Sequence, residues 1–123
     1  MITHPTRDEL LTAVIGFIER VAPQLQDRDV FLARVAVNAL NVVRREVDAG
    51  PAAEAAAFER LQALLPQPGD FACLNTALSR AIRAGAFEHD EAALLAHLKS
   101  SALDQVRIDQ PGYSGLKAAE ASA

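Results

Sequence analysis

The sequence lacks most of what disulfide-bonded, metal-binding and membrane-spanning proteins need. It has one cysteine, no tryptophan, and only 5% aromatic residues among its 123 positions. A single cysteine excludes an internal disulfide and a cysteine-rich metal site. No apolar run approaches the ~18 residues that suggest a membrane span. The apolar stretch from Leu10 to Ile18 is flanked by charged residues and lacks a cleavage site, so we expect a cytoplasmic protein.

Composition and charge favour one globular domain. Half of the residues are hydrophobic and 23% are charged, which is the balance of a soluble, folded chain. The net charge is −4. Nucleic-acid binding draws most of its affinity from concentrated basic side chains, so this balance argues against a nucleic-acid partner. We likewise expect no membrane partner.

Capping residues and apolar spacing predict about five helices. Thr6 and Glu9 form a capping-box pattern, which predicts a first helix at about 6–22. The remaining helices are predicted from Asp27 or Asp29 to Gly50, from Pro51 to the loop at 66–69, from Asp70 to Gly85, and from near Asp90 to a turn at 110–113. No segment shows sustained period-two alternation, so the fold class is an all-α bundle.

The second predicted helix carries the widest apolar surface. Its apolar positions span about 200°, more than the ~100° stripe of a typical surface helix. We therefore expect it at the centre of the domain, with Leu40 and Val43 in the core. The domain is predicted to cover residues 1–115, followed by a weakly ordered tail at 116–123.

Few residues are arranged for chemistry. The six glycines form no phosphate-binding loop, and no two histidines stand at metal-ligand spacing on a helix. His89-Asp90-Glu91 is typical of a helix start, and Cys73 is expected to be a small buried apolar residue. The sequence predicts no metal site, no cofactor and no catalytic residue, which favours a protein that is not an enzyme without deciding the question.

A polar face on the second helix is the most informative feature. Arg34, Asn38, Asn41 and Arg45 follow steps of four, three and four, so they share an arc of about 60°. Asparagine is a poor helix former, yet these two and Asn75 all lie in predicted helices. The five residues are either structural, forming interhelical hydrogen bonds, or a site that binds an anion or a partner's carboxylate.

Several short stretches together carry a family resemblance. They are His4-Pro5-Thr6, residues 31–39, Gly50-Pro51, Leu74-Asn75, residues 81–85 and 108–111, and Tyr113. Over about residues 3–115 the chain resembles a family of small bacterial all-helical proteins classed as a domain of unknown function. Members are often encoded beside an aminoglycoside-phosphotransferase-like kinase and an acyl-CoA dehydrogenase. The resemblance implies a role near acyl-CoA or hydroxy-acid catabolism and brings no catalytic residues.

Two functional hypotheses follow. The first is a non-catalytic accessory or interaction subunit whose protein partner, by the resemblance, is a kinase-like or acyl-CoA dehydrogenase-like enzyme. The second is a small anionic-ligand-binding protein or enzyme that uses the face formed by Arg34, Asn38, Asn41 and Arg45. Both hypotheses are compatible with a homo-oligomer.

Overall fold

The computed structural model describes residues 3–122, and this part of the chain is helical without a strand. Helix makes up 77% of the structure, which confirms the all-α class. Residues 1, 2 and 123, at the outer ends of the predicted domain and tail, lie outside the description. The helices are α1 (Arg7–Val21), α2 (Arg28–Leu64), α3 (Phe71–Arg83), α4 (Ala92–Asp109) and α5 (Leu116–Ala121), with a short 3-10 helix at Ala22–Gln24.

The chain divides into two compact units. Unit 1 extends to Asp48 and unit 2 begins at Ala49. Unit 1 contains α1 and the first part of α2, whereas unit 2 contains the rest of α2 with α3, α4 and α5.

Helix α2 is longer than the sequence predicted. A helix end at Gly50 followed by a new helix at Pro51 is wrong, because α2 continues through both residues to Leu64. A proline inside a helix removes one hydrogen bond and clashes with the preceding turn. Its ring also crowds the Cβ of the residue before it, and that residue is Gly50, which has none. The helix therefore accommodates Pro51 where most sequences would break.

The N-terminus of α1 carries the predicted capping box. The Glu9 backbone N–H donates to Thr6 Oγ1 at 3.1 Å, and the Thr6 N–H donates to Glu9 Oε2 at 2.6 Å. The bond from the Thr6 backbone, followed by one from His4, holds the pKa of Glu9 below its usual value. These contacts satisfy N–H groups that a helix start leaves without intrahelical partners.

Unit 2 has a leucine core. Leu61 and Leu65 from α2 pack with Leu74 and Leu78 from α3 and with Leu94 from α4. Asp70 caps α3 as predicted, accepting from the Cys73 N–H at 2.8 Å.

The segment predicted as a tail contains α5. Leu116 is 8% exposed. Arg107 Nε donates to Glu120 Oε1 at 3.1 Å, and Lys99 Nζ donates to Ser122 Oγ at 2.8 Å. These contacts attach α5 to α4.

Candidate functional site

The four residues of the predicted polar face lie in unit 1, and the fifth predicted site residue, Asn75, lies in unit 2. Arg34 and Asn38 are exposed, and Asn41 and Arg45 are half-buried on the same side of α2. Asn75 is half-buried on α3 in unit 2 and is a separate feature. A binding role for these residues stays a prediction.

A groove runs beside Arg34. Its volume is about 210 Å³. Among the described residues that line it, the ionisable ones are Arg34 and Glu19, so a carboxylate accompanies the guanidinium. This pairing weakens the positive potential that an anion would need. The other lining residues are apolar: Ile18, Ala22, Val30, Ala33 and Val37.

Arg44, which sequence analysis passed over, joins α2 to α1. Its Nη2 donates to Thr12 Oγ1 at 2.7 Å. Its Nε lies 2.8 Å from Asp8 Oδ1, which makes an ion pair, although the N–H is not directed well enough at that oxygen for a hydrogen bond. Spacing along α2 gave no sign that Arg44 would meet α1, because only the fold brings Asp8 and Thr12 to it.

Unit 1 leaves a broad apolar surface open. Five side chains, each between 44% and 57% exposed, form what we call the hairpin apolar face: Leu10, Val14, Phe17, Leu32 and Val43. The prediction that Val43 lies in the core is wrong for this chain, and Leu40 is only half-buried. The apolar residues of α1 likewise divide between a buried Ile15 and an exposed stripe.

Unit 2 holds a buried polar cluster. Arg60 donates from Nε to His97 Nδ1 at 3.1 Å and from Nη2 to Ser101 Oγ at 3.2 Å. His97 is 4% exposed. Burial, and secondarily the charge of Arg60, lower the pKa of His97, so its imidazole is neutral and Nδ1 accepts. The cluster attaches α4 to α2. Arg60 and His97 are 37 residues apart, so local sequence patterns could not predict their contact.

Cys73 is exposed, so the prediction of a buried cysteine is wrong. A hydrogen bond to Asp70, together with the charge of that carboxylate, raises the pKa of the Cys73 thiol. A thiol with a raised pKa holds less of the nucleophilic thiolate.

Between residues 3 and 122, no three or more His, Cys, Asp or Glu side chains come together in a group that could hold a metal ion. Within the same range, no helix has the length and apolar character to cross a membrane.

The comparison with protein families shows which family this chain belongs to. A model described as a domain of unknown function, DUF6285, matches residues 23–113, which is more than half of the sequence. The chain belongs to the DUF6285 family. The match includes α2, α3 and α4, whereas α1 and α5 lie outside it. Comparisons with curated proteins and with solved structures give no match.

Proposed function

We propose that this DUF6285 protein is a non-catalytic interaction subunit that binds another polypeptide through the hairpin apolar face. The observation that carries the proposal is the exposure of five large apolar side chains on two adjacent helices. Single exposed apolar residues are normal on protein surfaces. A contiguous group is different, because patches of several hundred Å² mark interaction sites.

The same face accounts for an unusual distribution of apolar residues. The five members come from α1 and from the part of α2 in unit 1, where Ile15 and Ala33 are the buried apolar residues. Unit 1 thus exposes more large apolar side chains than it buries. Burial of apolar surface is favourable by about 25 cal/mol per Å², so covering this face would stabilise the hairpin.

The sequence resemblance suggests which partners to try first. It implies a kinase-like or an acyl-CoA dehydrogenase-like enzyme, and both classes are proposals for this chain. A partner of either class would present an apolar surface to Phe17, the largest side chain of the hairpin apolar face.

A matched pair of variants tests the proposal. Phe17→Glu places a charge on the hairpin apolar face, and Leu95→Glu places one on unit 2 at a residue of equal exposure, 57%. We expect Phe17→Glu to abolish co-purification with the two candidate enzymes and Leu95→Glu to leave it unchanged. Equal co-purification by both variants would contradict the proposal.

Anion binding at the polar face is the second candidate function. It is favoured by the placement of Arg34 and Asn38, both exposed, on the same side of α2 as Asn41 and Arg45. The test is thermal shift with phosphate, dicarboxylates and acyl-CoA esters. If an anion binds, Arg34→Gln should remove the shift, and Arg34→Lys should weaken it because lysine lacks the planar fork.

A further inference from the structure

The groove beside Arg34 has one wall from each end of the connection between α1 and α2. Ile18 and Glu19 in α1, with Ala22 in the 3-10 helix, form the first wall. The second wall comes from α2, at steps of three, one and three: Val30, Ala33, Arg34 and Val37. Side chains at such spacing share one face of a helix. All of these lining residues belong to unit 1.

Most of the groove is apolar. Ala33 is buried, and the other apolar side chains that line it are half-buried: Ile18, Ala22, Val30 and Val37. Half-buried side chains still expose apolar surface to water, so a ligand with an aliphatic part gains by covering them. No member of the hairpin apolar face lines this groove, and the two features are therefore separate.

Glu19 and Arg34 line this groove without an ion pair between them. Both side chains are exposed, and within residues 3–122 neither has a hydrogen bond or an ion pair. Arg44, by contrast, pairs with Asp8 between the same two helices. A carboxylate accepts hydrogen bonds from an ammonium group, and a guanidinium fork donates to a carboxylate. The groove therefore offers one acceptor and one donor of opposite charge to a ligand.

The charged residues next to the walls in sequence do not alter this pattern. Arg20 follows Glu19, and Asp29 precedes Val30. Neither Arg20 nor Asp29 lines the groove. The groove itself thus presents one negative and one positive side chain on an apolar background.

We propose that this groove binds a free aliphatic α-amino acid, for which leucine is the representative. The ammonium group of the ligand contacts Glu19, its carboxylate contacts Arg34, and its side chain covers Val30 and Val37. Because Glu19 and Arg34 line one small groove, a ligand that carries both charges on one carbon can contact both. A simple anion satisfies Arg34 and is repelled by Glu19, and the reverse holds for a simple cation.

The size of the groove agrees with a ligand of few atoms. Its volume is about 210 Å³. Pockets for drug-sized ligands have volumes of about 300–1,000 Å³, so the occupant must be smaller than those ligands. The inference does not depend on the proposed function, since it uses a different surface of unit 1.

Nuclear magnetic resonance of the full chain tests the inference with three ligands of one shape. They are leucine, isocaproate, which lacks the ammonium group, and isoamylamine, which lacks the carboxylate. Leucine should shift the methyl resonances of Val30 and Val37 and leave those of Leu61 and Leu74, in unit 2, unchanged. Each analogue should bind at least about fivefold more weakly, because it loses one charge pair at an exposed site and leaves the other protein charge opposed.

Two variants assign the charges. Glu19→Gln should remove the preference for leucine over isocaproate and keep the preference over isoamylamine. Arg34→Gln should do the reverse. Glu54→Gln and Arg80→Gln are the matched controls, because both residues are exposed and lie in unit 2. Both controls should keep both preferences.

Three results would overturn the inference. The first is equal binding of leucine and isocaproate, which would indicate an ordinary anion at Arg34. The second is a leucine titration that leaves the methyl resonances of Val30 and Val37 in place. The third is an unchanged set of preferences in both Glu19→Gln and Arg34→Gln. None of these results bears on co-purification through Phe17, so the proposed function is tested separately.

Discussion

Arg60 donates a hydrogen bond to Nδ1 of His97 across 3.1 Å, and the imidazole that accepts it is 4% exposed. A protonated imidazole has no acceptor, so the bond requires the neutral form. This single contact makes the stability of unit 2 depend on the protonation of one side chain.

The first prediction is a loss of stability as the solution becomes acidic. The pKa of His97 is lowered from 6.5 in the folded chain, so the unfolded state binds the proton more readily. The contribution of neutral His97 to the free energy of unfolding is fully present above pH 6.5. It is lost as the pH falls below 6.5 and through the lowered pKa of the folded chain. Urea unfolding at pH 7.5 and 5.5 should show a lower midpoint at pH 5.5, and His97→Gln should reduce this difference.

Exposed histidines provide the control for that experiment. His89 is exposed, and His89→Gln should retain the pH dependence of the wild-type chain. If His97→Gln and the wild-type chain lost stability equally between pH 7.5 and 5.5, another group would be responsible.

The second prediction concerns the attachment of α1 to α2. Arg44→Gln removes the ion pair with Asp8 and leaves Thr12 with a weaker donor. Because Asp8 is largely exposed, we expect a loss of about 1 kcal/mol in the free energy of unfolding, at the upper end for surface pairs. Urea melts at one fixed protein concentration measure it, with Arg34→Gln as the exposed-arginine control. Equal losses in the two variants would show that Arg44 has no special role.

The third prediction ranks two leucines on α2. Leu61 is fully buried in the leucine core, whereas Leu40 is half-buried. Leu61→Ala should cost about 2–5 kcal/mol, because it removes apolar contacts and leaves a cavity. Leu40→Ala should cost less, because a half-buried side chain loses less apolar burial. Denaturant melts compare them, and a larger loss for Leu40→Ala would mean that unit 1 is packed more tightly than its exposure indicates.

The fourth prediction concerns thiol reactivity. Asp70 raises the pKa of the Cys73 thiol through a hydrogen bond and through its charge. Asp70→Asn removes the charge and keeps an oxygen to cap α3, so the thiol should react faster with an aromatic disulfide at pH 8. Asp90→Asn is the matched control. An unchanged rate for Asp70→Asn would mean that access, rather than charge, limits the reaction.

The sequence by itself determined the local structure of this protein. The cap at Thr6 and Glu9, the cap at Asp70 and the absence of period-two alternation depend on residues within one turn of each other, so short-range rules were sufficient. The all-α class followed from them. The apolar stripes on α1 and α2 were also evident, because side-chain spacing is a property of the helix alone.

Only the tertiary structure decided which stripes are covered. The spacing of Phe17 and Ile15 on α1 is equally suited to a buried or an open position, and the fold buries Ile15 while leaving Phe17 open. The bond between Arg60 and His97 was likewise decided by the fold. The physical reason is that coverage depends on which other segment approaches, and neither helical periodicity nor propensity contains that information.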